Sequence, residues 1–138
     1  MTQEQIDLLP EINFSYNWNQ KLHCYSFTTL RLQQNDKYIV KQKYRIKLKK
    51  ELIAIAEIED IRNFYLHELN EFIARLDTGY SLKMTKDIIK KMYPRVNFEV
   101  KKLSLILLTK QPEILHIVQD NPKVLQYNEH LIHTLQVK

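Results

Sequence analysis

The chain has 138 residues, of which 44% are hydrophobic and 27% charged, a balance that suits one folded domain with a sizeable core and excludes global disorder. With 21 basic and 16 acidic residues it carries +5, which suits a polyanionic partner without requiring one. Its longest apolar run, Leu105 to Leu108, is far short of the ~20 residues that cross a bilayer, and a single cysteine, Cys24, excludes an internal disulfide framework. The start of the chain shows no charged-then-apolar leader pattern, so the expected location is the cytoplasm, with no membrane partner.

Residues 1 to 10 read as a loose lead-in ending at Pro10. Ile12, Phe14, Tyr16 and Trp18 then alternate with polar residues, which predicts a strand with one buried face. Residues 19 to 24 read as a connection or a helical turn. Ser26 to Leu32, SFTTLRL, is rich in β-formers; Thr28, Leu30 and Leu32 are expected to face the core and Phe27, Thr29 and Arg31 the other side.

From 41 to 49 every odd residue is basic: Lys41, Lys43, Arg45, Lys47 and Lys49. On a strand these five share one face at intervals of about 6.7 Å. That is near the ~7 Å between successive phosphates of an extended single strand, against about 3.4 Å of axis in a duplex. The row is therefore a candidate nucleic-acid-binding surface. The other reading is a solvated strand protected by lysines against edge pairing. Lys49 to Glu51 read as a hairpin turn into a strand over 52–61, whose Glu57 and Glu59 would neutralise part of the row if the two strands pair.

Gly79 is the only glycine in the chain, where average usage would give roughly ten. Leu66, Leu69, Phe72, Ile73 and Leu76 recur before it at helical spacing, and Ile88, Ile89 and Met92 follow it. The pattern predicts a helix, a left-handed glycine at its C-terminal end, Ser81 as the next N-cap, and a second helix closed by Pro94. Asp77, Thr78, Tyr80 and Ser81 cluster at this corner, either capping the helix ends or framing a pocket. Phe98 to Leu108 reads as a central strand. Residues 111–138, with Pro112 and Pro122 as first helical residues, read as two short amphipathic helices appended to a 1–110 domain. They dock either on the chain's own sheet or on a second copy or protein partner.

The order of four strands, two helices, a strand and a helical tail predicts an α+β fold with a small, mostly antiparallel curved sheet or barrel. SFTTLRL, the strand pair over 38–61, LNEFIARLDTGYS and the closing Met92-Tyr93-Pro94 resemble the ASCH domain of the PUA-like superfamily over about residues 12–109. The resemblance implies a β-barrel with flanking helices and RNA or modified-nucleoside binding in a cleft between them. Within the family it also implies an alternative, an amidohydrolase that removes an acyl group from a modified cytidine. That branch has a motif similar to Gly-x-Lys-Thr-x-Thr-x-Arg. Aligned on Arg31, this chain supplies Thr29, but it has Ser26 in place of the lysine and Phe27 in place of the first threonine.

On that resemblance Thr29 and Asp77 are the candidate catalytic residues, and the missing lysine argues against an enzyme. Lys21, five residues before Ser26 on a flexible connection, could in principle reach the same place. The candidate cleft comprises Trp18, Tyr25, Ser26, Thr29, Arg31, Asp77 and Tyr80. Glu129, His130 and His133 have too few companions for a metal site and read as surface residues. Cys24 beside His23 reads as a packed or idle thiol. No cofactor is expected, and one glycine rules out a Gly-rich phosphate loop. Scarce glycine with abundant Lys, Ile and Asn suggests an AT-rich genome such as a phage or mobile element. A structural or assembly role through 111–138 is a third reading.

Overall fold

A computed structural model describes residues 1–111 and 123–128. It is an α+β fold built on one five-stranded sheet: β1 (Glu11–Phe14), β2 (Ser26–Leu32), β3 (Lys43–Leu48), β4 (Glu51–Phe64) and β5 (Leu103–Lys110). The strand order is β1-β3-β4-β5-β2. β1 runs parallel to β3, and every other pair is antiparallel. A register shift between Ile58 and Asp60 in β4 marks a bulge, which raises local twist and helps the long strand curl.

The curl brings the two edge strands, β1 and β2, face to face as a half-barrel. Arg31 of β2 donates from Nη2 to the Asn13 carbonyl of β1 at 2.7 Å, and the Phe14 and Phe27 rings meet edge-to-face at 6.1 Å. The interior is apolar, with Ile12, Phe14, Phe27, Ile46, Ile53, Ile58, Ile106 and Leu108 all buried. Tyr44 is fully buried among them because its hydroxyl donates to the Lys37 carbonyl and accepts from the Ile39 amide.

Outside the sheet lie α2 (Glu71–Thr78) and α3 (Leu82–Met92), with a second core of Leu66, Leu69, Ile89 and Leu103 between helices and sheet. β2 is therefore covered on both sides. Phe27 and Thr29 face the barrel interior, whereas Leu30 and Leu32 face the helices. The expectation of a single leucine-lined core face is corrected: a strand at a barrel seam under two helices has no wet face.

Other departures are local. Residues Gln3–Asp7 form a short helix, α1, rather than a loose lead; Thr2 caps it through a reciprocal capping box with Gln5, and Ile6 is fully buried. β1 stops at Phe14, and Trp18–His23 is 3₁₀ with Asn19 and Gln20 at positive φ. The helix before Gly79 begins at Glu71, because Leu66–Glu68 is a separate 3₁₀ turn. Phe72 and Leu76 stand exposed. β5 begins at Leu103, five residues later than the hydrophobic run suggests.

The sequence reading of the tail falls partly outside the described residues, on 112–122 and 129–138. Its described part, 123–128, is helical and lies on the chain's own sheet. Val124 packs with Ile6 and Ile55, and Asn128 Nδ2 donates to the Ile53 carbonyl at 2.7 Å. His23 stacks on Tyr127 at 4.4 Å. Lys110, fully buried, donates from Nζ to the carbonyls of Leu22 and Tyr127 at 2.7 and 2.9 Å, joining this helix to the 3₁₀ segment. Burial brings its ammonium pKa down to about 8. None of the described helices is long and apolar enough to cross a membrane.

Candidate functional site

Gly79 ends α2 with φ of +82° and closes the helix with a bond from its amide to the Arg75 carbonyl. A side chain there would also meet the Asn19 side chain, whose Oδ1 lies 3.1 Å from the position of a Cβ. The 3₁₀ segment thus packs directly on the glycine corner, and its polar groups complete the helix end. Asn19 Nδ2 donates to the Leu76 carbonyl at 3.2 Å, and Lys21 Nζ to the Asp77 carbonyl at 3.1 Å. These are carbonyls that the helix itself leaves unpaired, and a cation among them opposes the negative end of the helix dipole.

Lys21 Nζ also meets Asp77 Oδ1 at 2.9 Å, and the Thr28 hydroxyl donates to the same oxygen at 2.8 Å. Both members of the ion pair are more than nine-tenths buried. Burial pushes the Lys21 ammonium below its usual pKa more strongly than Asp77 holds it up, and the nearby Arg31 cation pushes the same way. Asp77 Oδ2 takes part in none of the described hydrogen bonds.

Arg31 lies over the Phe14 ring at 4.6 Å and donates from Nε to the Thr29 hydroxyl at 3.0 Å. Lys21 Nζ is 5.9 Å from the centre of the same ring. Lys21, Thr29, Arg31 and Asp77, with Asn13, Ser15, Phe14 and Trp18, line one cavity of about 70 Å³ at the seam, whose far wall is Ile88, Ile89 and Met92 of α3. Beside it Trp18 is the middle of an aromatic row, 4.8 Å from Tyr16 and 6.1 Å from Tyr80.

Five of the seven candidate cleft residues therefore come together: Thr29, Arg31, Asp77 and Trp18 in the cavity wall, and Tyr80 through Trp18. Ser26 and Tyr25 stand elsewhere; both are exposed, and Ser26 bonds across the sheet to Thr109. Lys21, and not a residue at position 26, brings an ammonium to the cavity that Thr29 and Arg31 line. Strand alternation carries no signal for it, because a 3₁₀ turn with two left-handed residues delivers the side chain.

The β3 row behaves differently. Only Lys43, Arg45 and Lys47 lie on the strand; Lys41 and Lys49 sit in turns at φ of +73° and +50°. The expectation of five cations on one extended face is corrected accordingly. Lys49 and Lys50 together form the hairpin with both φ values positive. Lys41 pairs with Glu59 and Lys43 with Glu57 across the β3–β4 ladder, while Arg45 and Lys47 share Glu11 of β1 at 3.1 and 2.8 Å. The Lys47 hydrogen bond and the two cationic charges hold the Glu11 carboxyl below its usual pKa, against a smaller opposing effect of burial.

Among the described residues no group of three or more His, Cys, Asp or Glu side chains could hold a metal ion. No family model, no curated protein and no solved structure matches this chain.

Proposed function

We propose that the protein binds RNA or a modified nucleoside, taking the edge of a base into the seam cavity. The observation that carries this is the convergence of four polar side chains from three separate elements on one small hollow that Phe14 and Trp18 also line. Lys21 and Arg31 are donors, Asp77 is an acceptor with Oδ2 unused among the described bonds, and Thr29 can be either. A carboxylate accepts from the exocyclic amine of a cytosine-like edge, and cationic donors meet its ring carbonyl. About 70 Å³ suits a base edge or a short acyl group rather than a whole nucleotide. The Tyr16–Trp18–Tyr80 row offers ring faces for the remainder to stack on.

The test is equilibrium binding of a panel of nucleosides, cytidine and N4-acetylcytidine among them, to the wild type and to Arg31→Leu. Saturable binding weakened about tenfold or more in the variant supports the proposal. No binding of any nucleoside, or binding indifferent to Arg31, refutes it.

The burial of Lys21 in the wall of the same cavity as Thr29 favours a second reading, hydrolysis of an amide on such a base. Neutral Lys21, eased by its depressed pKa, would take the Thr29 hydroxyl proton as the oxygen attacks the acyl carbon. The base would leave with that proton, and water would then release the acyl group from Thr29. Release of acetate from N4-acetylcytidine, lost in Thr29→Ala, is the expected result. Absence of turnover removes this reading and leaves the binding proposal standing.

A further inference from the structure

The chain's excess positive charge is concentrated in one stretch. Residues 83–102 hold seven of the 21 basic residues (Lys83, Lys86, Lys90, Lys91, Arg95, Lys101 and Lys102) and two of the 16 acidic ones, Asp87 and Glu99. This stretch therefore carries +5, and the other 118 residues balance at 14 of each sign. Among the described residues the seven ion pairs all lie outside 83–102, whereas four of the five cations of the 41–49 row are ion-paired.

The same stretch walls the largest described cavity, an open groove of about 520 Å³ between α3, the 94–99 loop and the Leu66–Glu68 turn. Lys86 and Lys90, one helical turn apart, stand on one side of it. Leu66, Tyr93, Val96 and Phe98 give it an apolar lining, His67 and Asn97 add polar groups, and Glu99 is the one carboxylate among the lining residues. His67 stacks on Tyr65 at 5.6 Å, and Lys102 lies 5.1 Å from the Tyr65 ring, which extends the cationic surface past the groove.

We infer that this groove, and not the β3 row, is where the protein holds a single-stranded RNA, with α3 lysines on the phosphates and bases against the ring-lined wall. The recess favours a strand over a membrane: a lipid surface is met by protruding apolar groups, while these rings lie in a concavity beneath the lysines. An acidic peptide would satisfy the lysines but not the lining. The groove lies across α3 from the seam cavity, so this inference stands apart from the reading of that cavity.

The experiment is fluorescence anisotropy of a 5′-fluorescein-labelled twelve-uridine oligonucleotide titrated with the full chain at several salt concentrations. Wild type is compared with Lys86→Gln/Lys90→Gln and, as a matched control, Lys43→Gln/Lys47→Gln. The groove variant should bind about tenfold or more weakly, with its log–log salt slope reduced by about 1.4, from about 0.7 for each lost phosphate contact. The β3 variant should stay within about twofold of wild type. Competition by anionic phospholipid vesicles or by a poly-glutamate peptide should need far higher charge concentrations than unlabelled oligonucleotide. Equal affinity of wild type and the groove variant, a larger loss in the β3 variant, preference for vesicles or poly-glutamate, or no oligonucleotide binding by wild type would each overturn the inference. None of these outcomes depends on whether Arg31 affects nucleoside binding, so the two proposals fail separately.

Discussion

Removing the carboxylate of Asp77 strands a buried ammonium, and the consequence can be worked out from the geometry. In Asp77→Ala, Lys21 loses its 2.9 Å partner and keeps the 3.1 Å bond to the residue 77 carbonyl, while the Thr28 hydroxyl loses its acceptor. Breaking one side of a buried pair costs about 3–5 kcal/mol. The upper end has an independent limit: deprotonating a lysine of ordinary pKa 10.5 at pH 7 costs about 5 kcal/mol at 1.36 per unit, after which no charge remains to be buried. Lys21→Met/Asp77→Ala should therefore be more stable than Asp77→Ala alone, with a coupling of about 2–3 kcal/mol. Urea unfolding of the four proteins of the cycle measures it.

The pH dependence has a definite sign. In Asp77→Ala the folded state releases the Lys21 proton at a pH at which the unfolded state still holds it. Stability should then rise with pH, by up to about 1.4 kcal/mol per unit, until the unfolded pKa of 10.5 is reached. An Asp77→Ala cost below about 1 kcal/mol, independent of pH and uncoupled to Lys21, would refute the picture of a dry pair at the seam.

Two further outcomes follow from the same packing. Lys110 has a folded pKa of about 8 against 10.5 unfolded, so its buried charge destabilises the fold below pH 8 and the penalty is relieved between pH 8 and 10.5. The difference in unfolding free energy between wild type and Lys110→Met should rise by about 3 kcal/mol over that window, and a flat difference would place the amine in water. Gly79→Ala must hold a left-handed backbone and press a methyl against Asn19, so it should cost about 1–2 kcal/mol in urea unfolding; an unchanged midpoint would show that the corner relaxes freely.

Local rules made several elements legible. The ends of β2 are legible because β-formers run unbroken from Ser26 to Leu32. The glycine corner with its Ser81 cap is legible because a left-handed helix end and a side-chain cap are properties of a few consecutive residues. The partial cancellation of Lys41 and Lys43 by Glu59 and Glu57 was foreseeable from pairing two neighbouring strands. Glu11 as partner of Arg45 and Lys47 leaves no local signal, because β1 reaches β3 by a parallel pairing that adjacent sequence does not announce.

Sequence alone thus determined the α+β class, the curved mostly antiparallel sheet, the turn at Gly79, and Thr29 and Arg31 as neighbours on one face of a strand. Tertiary structure decided what those residues meet. Curling of the sheet set Arg31 against the carbonyl of Asn13, and packing of the 3₁₀ turn on a helix end delivered Lys21 to Asp77. It also decided which cations are neutralised, since an ion pair depends on distances across the sheet, and a one-dimensional charge pattern contains none of them.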